Sequence, residues 1–205
     1  MQTEIKRIDR YDDKRFSKKI LQQHGAFIID GNVPCSVEIT GADTALIHCN
    51  NPRYYVLLIN EFRFYAEHIV KFYDESGALI KEFPSVEIFD VVLNDIQPSQ
   101  FFVDEDKINA VKNFVNGPDD IIIPLQRLGG KCVSLDGHTR LALAVQRGYN
   151  SVKAFISQSD VNIEAFVSEA QKRGILSPLH LKVVSHSEYD ILWNKFCDDF
   201  FAGEA

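Results

Sequence analysis

The sequence predicts an α+β protein, in which an N-terminal α+β segment with antiparallel strands precedes a mixed sheet with helices. Three observations predict this class. Short apolar stretches separated by glycine-containing turns occupy residues 26–83, as in antiparallel hairpins. From Ile96 onward, strand-like and helix-like segments alternate along the chain. Hydrophobic residues make up 45% and charged residues 25% of the 205 residues, a balance typical of globular proteins.

The N-terminal elements follow from apolar periodicity and turn residues. Asn51-Pro52 is typical of a helix start, and an apolar and aromatic stripe behind it predicts a helix from Pro52 to about Glu67. The stripe consists of Tyr54, Tyr55, Leu58, Phe62, Tyr65 and Ile69. The other predicted elements are a helix over residues 13–23, strands over residues 26–30, 35–40, 44–49 and 86–93, and a hairpin over residues 68–83.

The second half of the chain alternates strands and helices. Asp104 is a suitable N-cap for a helix over residues 105–114. The remaining predicted elements are strands over residues 121–125, 131–135 and 151–156 and helices over residues 137–147, 161–173 and 187–201. The tail helix carries Trp193, Phe196 and Phe200, a stripe typical of core packing that would form a homodimer contact if it were exposed. We expect three regions, namely an N-terminal α+β region (1–85), a central core (86–158) and C-terminal helices that pack on it (159–205).

Composition and charge narrow the protein class. No apolar run approaches the roughly 18 residues that span a bilayer, and the charged N-terminus does not resemble a secretory signal. We therefore expect no membrane contact and a cytoplasmic location. The net charge of −7 argues against nucleic acid as a partner. The four cysteines are widely spaced and form no C-x-x-C pair, so buried free thiols are expected rather than disulfides or a zinc site.

The segment Asp136-Gly137-His138-Thr139-Arg140 carries the functional prediction, because it lies where a strand meets a helix. The unpaired amides and the dipole of a helix start attract anions, and glycine lets a ligand approach the backbone. His138, Thr139 and Arg140 add donors, and Arg140 suits a phosphate. Each residue also has a structural interpretation: Asp136 as a helix cap, Gly137 as a turn, His138 as a satisfied buried histidine and Arg140 as a surface charge. The combination favours an anion site.

The order of motifs resembles the ParB/sulfiredoxin superfamily. The resemblance covers about residues 88–158 and rests on motifs that occur in the order Ile96-Gln97-Pro98, a helix, Ile122-Ile123-Pro124-Leu125, a Gly-Gly turn and the five-residue box. ParB partition proteins carry G-E-R-R in the box, and this chain does not. Sulfiredoxins place a reactive cysteine two residues before the box arginine, where this chain has His138. The D-G-H-x-R form is most similar to the free serine kinases of the superfamily.

The resemblance implies a nucleotide site with ATP or ADP and Mg²⁺. Gly137, His138, Thr139, Arg140 and Gln100 would bind the nucleotide, and Asp136 and His138 would be the catalytic residues. Asp136 and Glu105 would hold the metal. The kinases have a carboxylate after the I-x-P segment, where this chain has Gln100, so one of the acids at positions 104–106 would have to replace it. The same acids also fit a helix cap and first helical turn.

Two functions remain open at this point. One is a phosphotransferase or nucleotide hydrolase that acts on a small-molecule acceptor, since phosphoryl transfer requires mainly positioning and charge neutralisation. The other is a non-catalytic ParB-like nucleotide-binding regulatory or adaptor module, which Gln100 favours because an amide cannot accept a proton at neutral pH.

Overall fold

The computed structural model describes residues 3–8, 10–64, 66–158 and 162–204, and it divides into two compact units, Met1–Glu87 and Ile88–Ala205. Both units contain helices and sheets, so the predicted α+β class is confirmed. The division falls close to the predicted boundary at residue 85, and the described part of 159–205 belongs to the second unit. None of the helices in the described ranges is long and apolar enough to cross a membrane.

The first unit is built on one six-stranded sheet with the strand order β1-β2-β3-β4-β5-β6. Its elements are β1 (Ile5–Arg7), α1 (Lys18–Gln22), β2 (Ala26–Ile29), β3 (Val33–Ile39), β4 (Thr44–His48), α2 (Tyr55–Arg63), β5 (Lys71–Asp74) and β6 (Leu79–Glu82). Neighbouring strands are antiparallel, as predicted, except β4 and β5. That pair is parallel because α2 carries the chain back across the sheet between the two strands.

Helix α1 begins later than predicted, because Ser17 rather than Asp13 caps it. The Ser17 hydroxyl accepts a hydrogen bond from the Ile20 amide at 3.3 Å. The Asp13 carboxylate instead accepts bonds from the Arg15 amide and guanidinium at 2.6–3.0 Å. The Arg15 guanidinium is the main reason that the pKa of the buried Asp13 carboxyl lies well below its usual range.

The predicted helix start at Asn51-Pro52 is confirmed, although the first turn is a 3₁₀ turn over Pro52–Tyr54. The Asn51 side chain caps this turn by accepting a bond from the Arg53 amide at 3.2 Å. Helix α2 ends before the predicted Glu67, and Tyr65 lies outside the described residues. The buried face of α2 packs its leucine, isoleucine and phenylalanine side chains against the sheet to form the core of this unit.

Cys35 and Cys49 form a disulfide, so the expectation of four free thiols was wrong for this pair. In the register of β3 and β4, Ser36 lies opposite His48, which places the two cysteines opposite each other with their Cα atoms 4.7 Å apart. Strand register rather than sequence spacing brings them together. Cys132 and Cys197 are free thiols, as expected, although both are half-buried rather than buried.

The second unit contains a five-stranded mixed sheet with the order β7-β12-β10-β11-β8 and a separate two-stranded sheet of β9 and β13. Its elements are β7 (Phe89–Val92), β8 (Ile96–Pro98), β9 (Phe102–Asp104), α3 (Glu105–Val111), β10 (Ile122–Leu128), β11 (Lys131–Ser134), α4 (His138–Gln146), β12 (Ser151–Ile156), α5 (Ile163–Lys172), β13 (Lys182–Val184), α6 (His186–Tyr189) and α7 (Lys195–Glu204). The predicted start of α5, Val161, lies outside the described residues. A π-helical turn, Asp190–Asn194, joins α6 to α7.

Strands β8 and β11 are parallel neighbours, with Ser134 opposite Pro98. Their carboxyl ends therefore lie at the same edge of the sheet, and the segments that follow them meet there. After β8 comes Ser99-Gln100, and after β11 comes the turn into α4. The core beneath consists of buried aliphatic side chains from β10, α4 and β12, including Ile123, Leu141 and Ala154. This packing holds the start of α4 at the edge of the sheet.

The aromatic stripe of the tail packs on the second unit, as the core interpretation predicted. The ring centroids of Trp193 and Phe101 are 4.9 Å apart, and those of Phe200 and Phe166 are 4.5 Å apart. Edge-to-face and tilted contacts of this kind add to the energy of burying the rings. The stripe thus serves the fold of one chain, and a homodimer remains a prediction.

Candidate functional site

The five-residue box connects β11 to α4. Helix α4 begins at His138, one residue after the predicted helix start at Gly137. Gly137 is the N-cap and adopts the left-handed conformation, with φ of 80°. A Cβ atom at this position would lie 2.5 Å from the Ile123 Cδ1 atom and 3.0 Å from the Arg140 Nη2 atom. Both the backbone conformation and the close approach of Ile123 therefore require glycine here.

The start of α4 has no side-chain cap, because glycine has no side chain that could accept a hydrogen bond. The first internal bond of the helix runs from the Leu141 amide to the Gly137 carbonyl oxygen at 2.9 Å. The amides of the three preceding residues form the positive end of the helix dipole. Thr139, the second of these residues, is half-buried. The helix start thus has the features that bind an anion.

Arg140 is held beside this helix start by two contacts. Its Nη1 donates to the Ile122 carbonyl oxygen at 2.7 Å, and its Nη2 lies 3.4 Å from Asp136 Oδ2. The arginine side chain is 26% exposed and the aspartate side chain is 57% exposed. These contacts engage two of the five N–H donors of the guanidinium, so the remaining donors can serve a ligand at the partly exposed face.

His138 points into the protein interior. Its Nε2 accepts hydrogen bonds from the amides of Ser99 and Gln100, each at 3.2 Å, and lies 3.0 Å from the Ser134 hydroxyl. A nitrogen that accepts from backbone amides carries no proton, so the imidazole is neutral with its proton on Nδ1. The pKa of His138 is lowered to about 4, mainly because the ring is buried; the Asp136 charge acts to raise it and the Arg140 charge acts to lower it.

The geometry of His138 therefore differs from the arrangement expected of a phosphate ligand. Nε2 fastens the segment after β8 to the start of α4, and it is not directed to the helix mouth. If the ring were protonated, its Nε2–H would face the N–H groups of Ser99 and Gln100, and both hydrogen bonds would be lost. The imidazole is thus a structural acceptor that positions the elements on either side of the site.

Gln100 contributes to the same connection through its backbone, while its side chain turns toward α6. Its Nε2 donates to the Phe102 carbonyl oxygen and, at 3.2 Å, to the Tyr189 hydroxyl. The pKa of Tyr189 is raised mainly by burial; the hydrogen bond with Gln100 acts to lower it, and the nearby Cys197, Asp104 and Asp136 make smaller contributions that raise it. The phenol is therefore neutral and lies within the electrostatic reach of both carboxylates.

The acids at the start of α3 take the capping role that sequence analysis had left open. Asp104 is buried, and its Oδ1 accepts a bond from the Asp106 amide at 2.9 Å, which confirms the predicted N-cap. Glu105 and Asp106 are exposed residues of the first turn. Acidic residues there also stabilise the helix dipole.

His186 is a site residue against which the sequence spacing argues, because the neighbouring His180 lies six residues away and the two would not share a helical face. Its Nδ1 lies 2.7 Å from Asp104 Oδ2, and this hydrogen bond is the main reason that the pKa of His186 is raised. The pattern from Ser185 to Glu188, with reciprocal capping bonds, could have located the helix start that carries it. The partner could not have been found, because it lies 82 residues earlier in the chain.

Comparisons with known proteins do not identify a family or a function for this chain. No protein-family model matches the sequence, and no curated protein matches it. Among solved structures, part of the chain is similar to protein Atu1540 from Agrobacterium tumefaciens, with 16% identity and a TM-score of 0.31. The match covers 45% of this chain and 50% of that protein. A likeness this distant carries no argument about function.

Proposed function

We propose that the second unit is a nucleotide-binding module with a ParB/sulfiredoxin-like fold, and that it binds the phosphates of ATP or ADP at the start of α4. The observation that carries this proposal is the left-handed Gly137 cap, which leaves the first turn of α4 without a side-chain acceptor. Arg140 stands beside this turn with a partly exposed guanidinium. Backbone amides, helix dipole and arginine together match the charge of a phosphate.

Binding without turnover agrees best with the surrounding side chains. The Nε2 atom of His138 is engaged by two backbone amides, and Gln100 offers an amide rather than a carboxylate. Neither group is a proton acceptor for a substrate hydroxyl. We therefore favour a regulatory or adaptor module that responds to a nucleotide.

A phosphotransferase is the second candidate, and Asp136 is the observation that favours it. Its carboxylate is exposed and lies beside Arg140. An exposed carboxylate there would share a Mg²⁺ ion with the nucleotide phosphates or orient an acceptor hydroxyl. Glu105, the other metal ligand that the resemblance implied, is an exposed residue of the first turn of α3 and is not part of this proposal.

Calorimetry with ATP and ADP in the presence of Mg²⁺ tests the proposal. Charge-assisted hydrogen bonds contribute about 1.5–3 kcal/mol, so Arg140→Gln should weaken binding by about tenfold to a hundredfold. Arg147→Gln is the matched control, because Arg147 also donates to backbone carbonyls, at the other end of α4. The control should bind nucleotide as the original chain does.

Equal affinities of the two variants, or no binding to the folded original chain at millimolar nucleotide, would refute the phosphate site. Turnover decides between the two candidates. Release of phosphate or phosphorylation of a small alcohol, abolished in Asp136→Asn, would establish the phosphotransferase. Saturable binding with no consumption of ATP would establish the non-catalytic module.

A further inference from the structure

A second group of ligating side chains lies where α3 and α6 begin. Asp104, Asp106 and His186 each offer one ligand atom, and these atoms all lie within 4.8 Å of one another. The parallel pairing of β9 with β13 places Val184 opposite Asp104. Both strands therefore end at the same level, and the two helices that follow start side by side. This pairing brings together residues that are far apart in sequence.

The burial of Asp104 is an independent sign that a cation belongs here. The residue is 1% exposed, and within the described ranges its ion-pair partner is His186 rather than a lysine or arginine. A buried carboxylate requires a paired positive charge or a bound metal. The histidine side chain is 61% exposed and is charged only when it is protonated. A metal ion would supply the positive charge permanently.

We propose that Asp104, Asp106 and His186 bind a divalent transition-metal ion, of the class of Mn²⁺, Fe²⁺ or Zn²⁺. An imidazole together with two carboxylates suits these ions, whereas Mg²⁺ and Ca²⁺ prefer oxygen ligands alone. Three protein ligands leave coordination positions for water or for a further ligand. This site is separate from the proposed phosphate site and does not depend on it.

The distances fit such an ion with little rearrangement. The 2.7 Å between His186 Nδ1 and Asp104 Oδ2 is near the roughly 3 Å that separates adjacent ligands when each bond is about 2.1 Å long. Asp106 is exposed, so its side chain can rotate to close the remaining gap. On the other side of the ring, His186 Nε2 lies 3.7 Å from Asp190 Oδ2. This is an ion-pair distance and not a hydrogen bond, so the exposed Asp190 side chain would have to move closer to orient a metal-bound histidine.

Electron paramagnetic resonance of added Mn²⁺ and calorimetry with Zn²⁺ test the site in the full chain without nucleotide. We expect one saturable site, and His186→Gln or Asp106→Asn should weaken binding by at least about tenfold. Glu105→Gln is the matched control. It removes the same charge as Asp106→Asn from the same exposed helical turn, and it should leave the affinity unchanged.

Two results would overturn the proposal. One is the absence of a saturable site for either ion at concentrations on the order of 1 mM. The other is equal weakening by Glu105→Gln and Asp106→Asn, which would mean diffuse attraction to acidic residues and an Asp104–His186 ion pair only. Fluorescence of the native tryptophan confirms that each variant is folded. Because no nucleotide is present, these results are independent of phosphate binding at α4.

Discussion

Substitution of His138 tests whether this imidazole is a neutral buried acceptor that holds the site together. His138→Gln keeps an acceptor, because the glutamine carbonyl oxygen reaches about as far as Nε2, and it does not titrate. His138→Leu removes the acceptor and leaves the amides of Ser99 and Gln100 without it. A buried donor that loses its partner costs about 1–3 kcal/mol, so the loss for these two amides should cost the leucine variant about 2–6 kcal/mol.

The pH dependence follows from the lowered pKa of His138, which is about 4 in the folded protein against 6.5 for an ordinary histidine. The unfolded chain therefore takes up a proton at a higher pH than the folded chain does. The neutral buried ring therefore stabilises the folded state fully above about pH 6.5. This stabilisation decreases as the pH falls and is lost completely below about pH 4. Linkage gives a loss of about 2 kcal/mol between pH 8 and pH 5.

Urea unfolding followed by the fluorescence of Trp193 measures this loss. Trp193 is the only tryptophan in the sequence, and it packs on Phe101 within the second unit. From pH 8 to pH 5, the original chain should lose about 2 kcal/mol more than His138→Gln does. His186 acts in the opposite direction, because its raised pKa stabilises the folded state as the pH falls. Both proteins share that contribution, so it cancels in the comparison.

If the free energy of unfolding changed with pH in the same way for the original chain and for His138→Gln, the reasoning would be refuted. The buried ring would then not have a lowered pKa in the folded protein. Equal stability of the glutamine and leucine variants at pH 8 would show separately that the accepted hydrogen bonds contribute nothing measurable.

Three further predictions concern backbone conformation, the disulfide and the aromatic core. Gly148→Ala should lower the free energy of unfolding by about 1 kcal/mol, because residue 148 has a left-handed backbone. Gly137→Ala should lower it by about 1–3 kcal/mol more, because a Cβ at this position would lie 2.5 Å from an isoleucine methyl group. Urea unfolding compares the two variants. Reduction of Cys35–Cys49, which are 14 residues apart, should cost the first unit about 3 kcal/mol, as measured by hydrogen exchange of β3 and β4. Phe101→Ala should cost about 3–5 kcal/mol and shift the tryptophan emission to longer wavelength.

Features with local causes could be predicted from the sequence. The strand Ser151–Ile156 has the bounds that its apolar pattern predicted. Asp104 caps α3, and Gly137 starts α4 in a conformation that only glycine adopts readily. Caps and turns of this kind depend on hydrogen bonds between residues two to four positions apart. A single sequence contains that information directly. The helix starts at the site were therefore placed correctly.

Only the tertiary structure decided which way the side chains face and which distant residues meet. His138 belongs to the predicted box, yet its ring faces inward because Ser99 and Gln100 donate to it from a neighbouring strand end. The register of β3 and β4 pairs two cysteines that sequence spacing had left apart. The parallel pairing of β9 and β13 likewise brings His186 to Asp104. Such contacts depend on strand register, which is set by the packing of the whole sheet rather than by any local pattern.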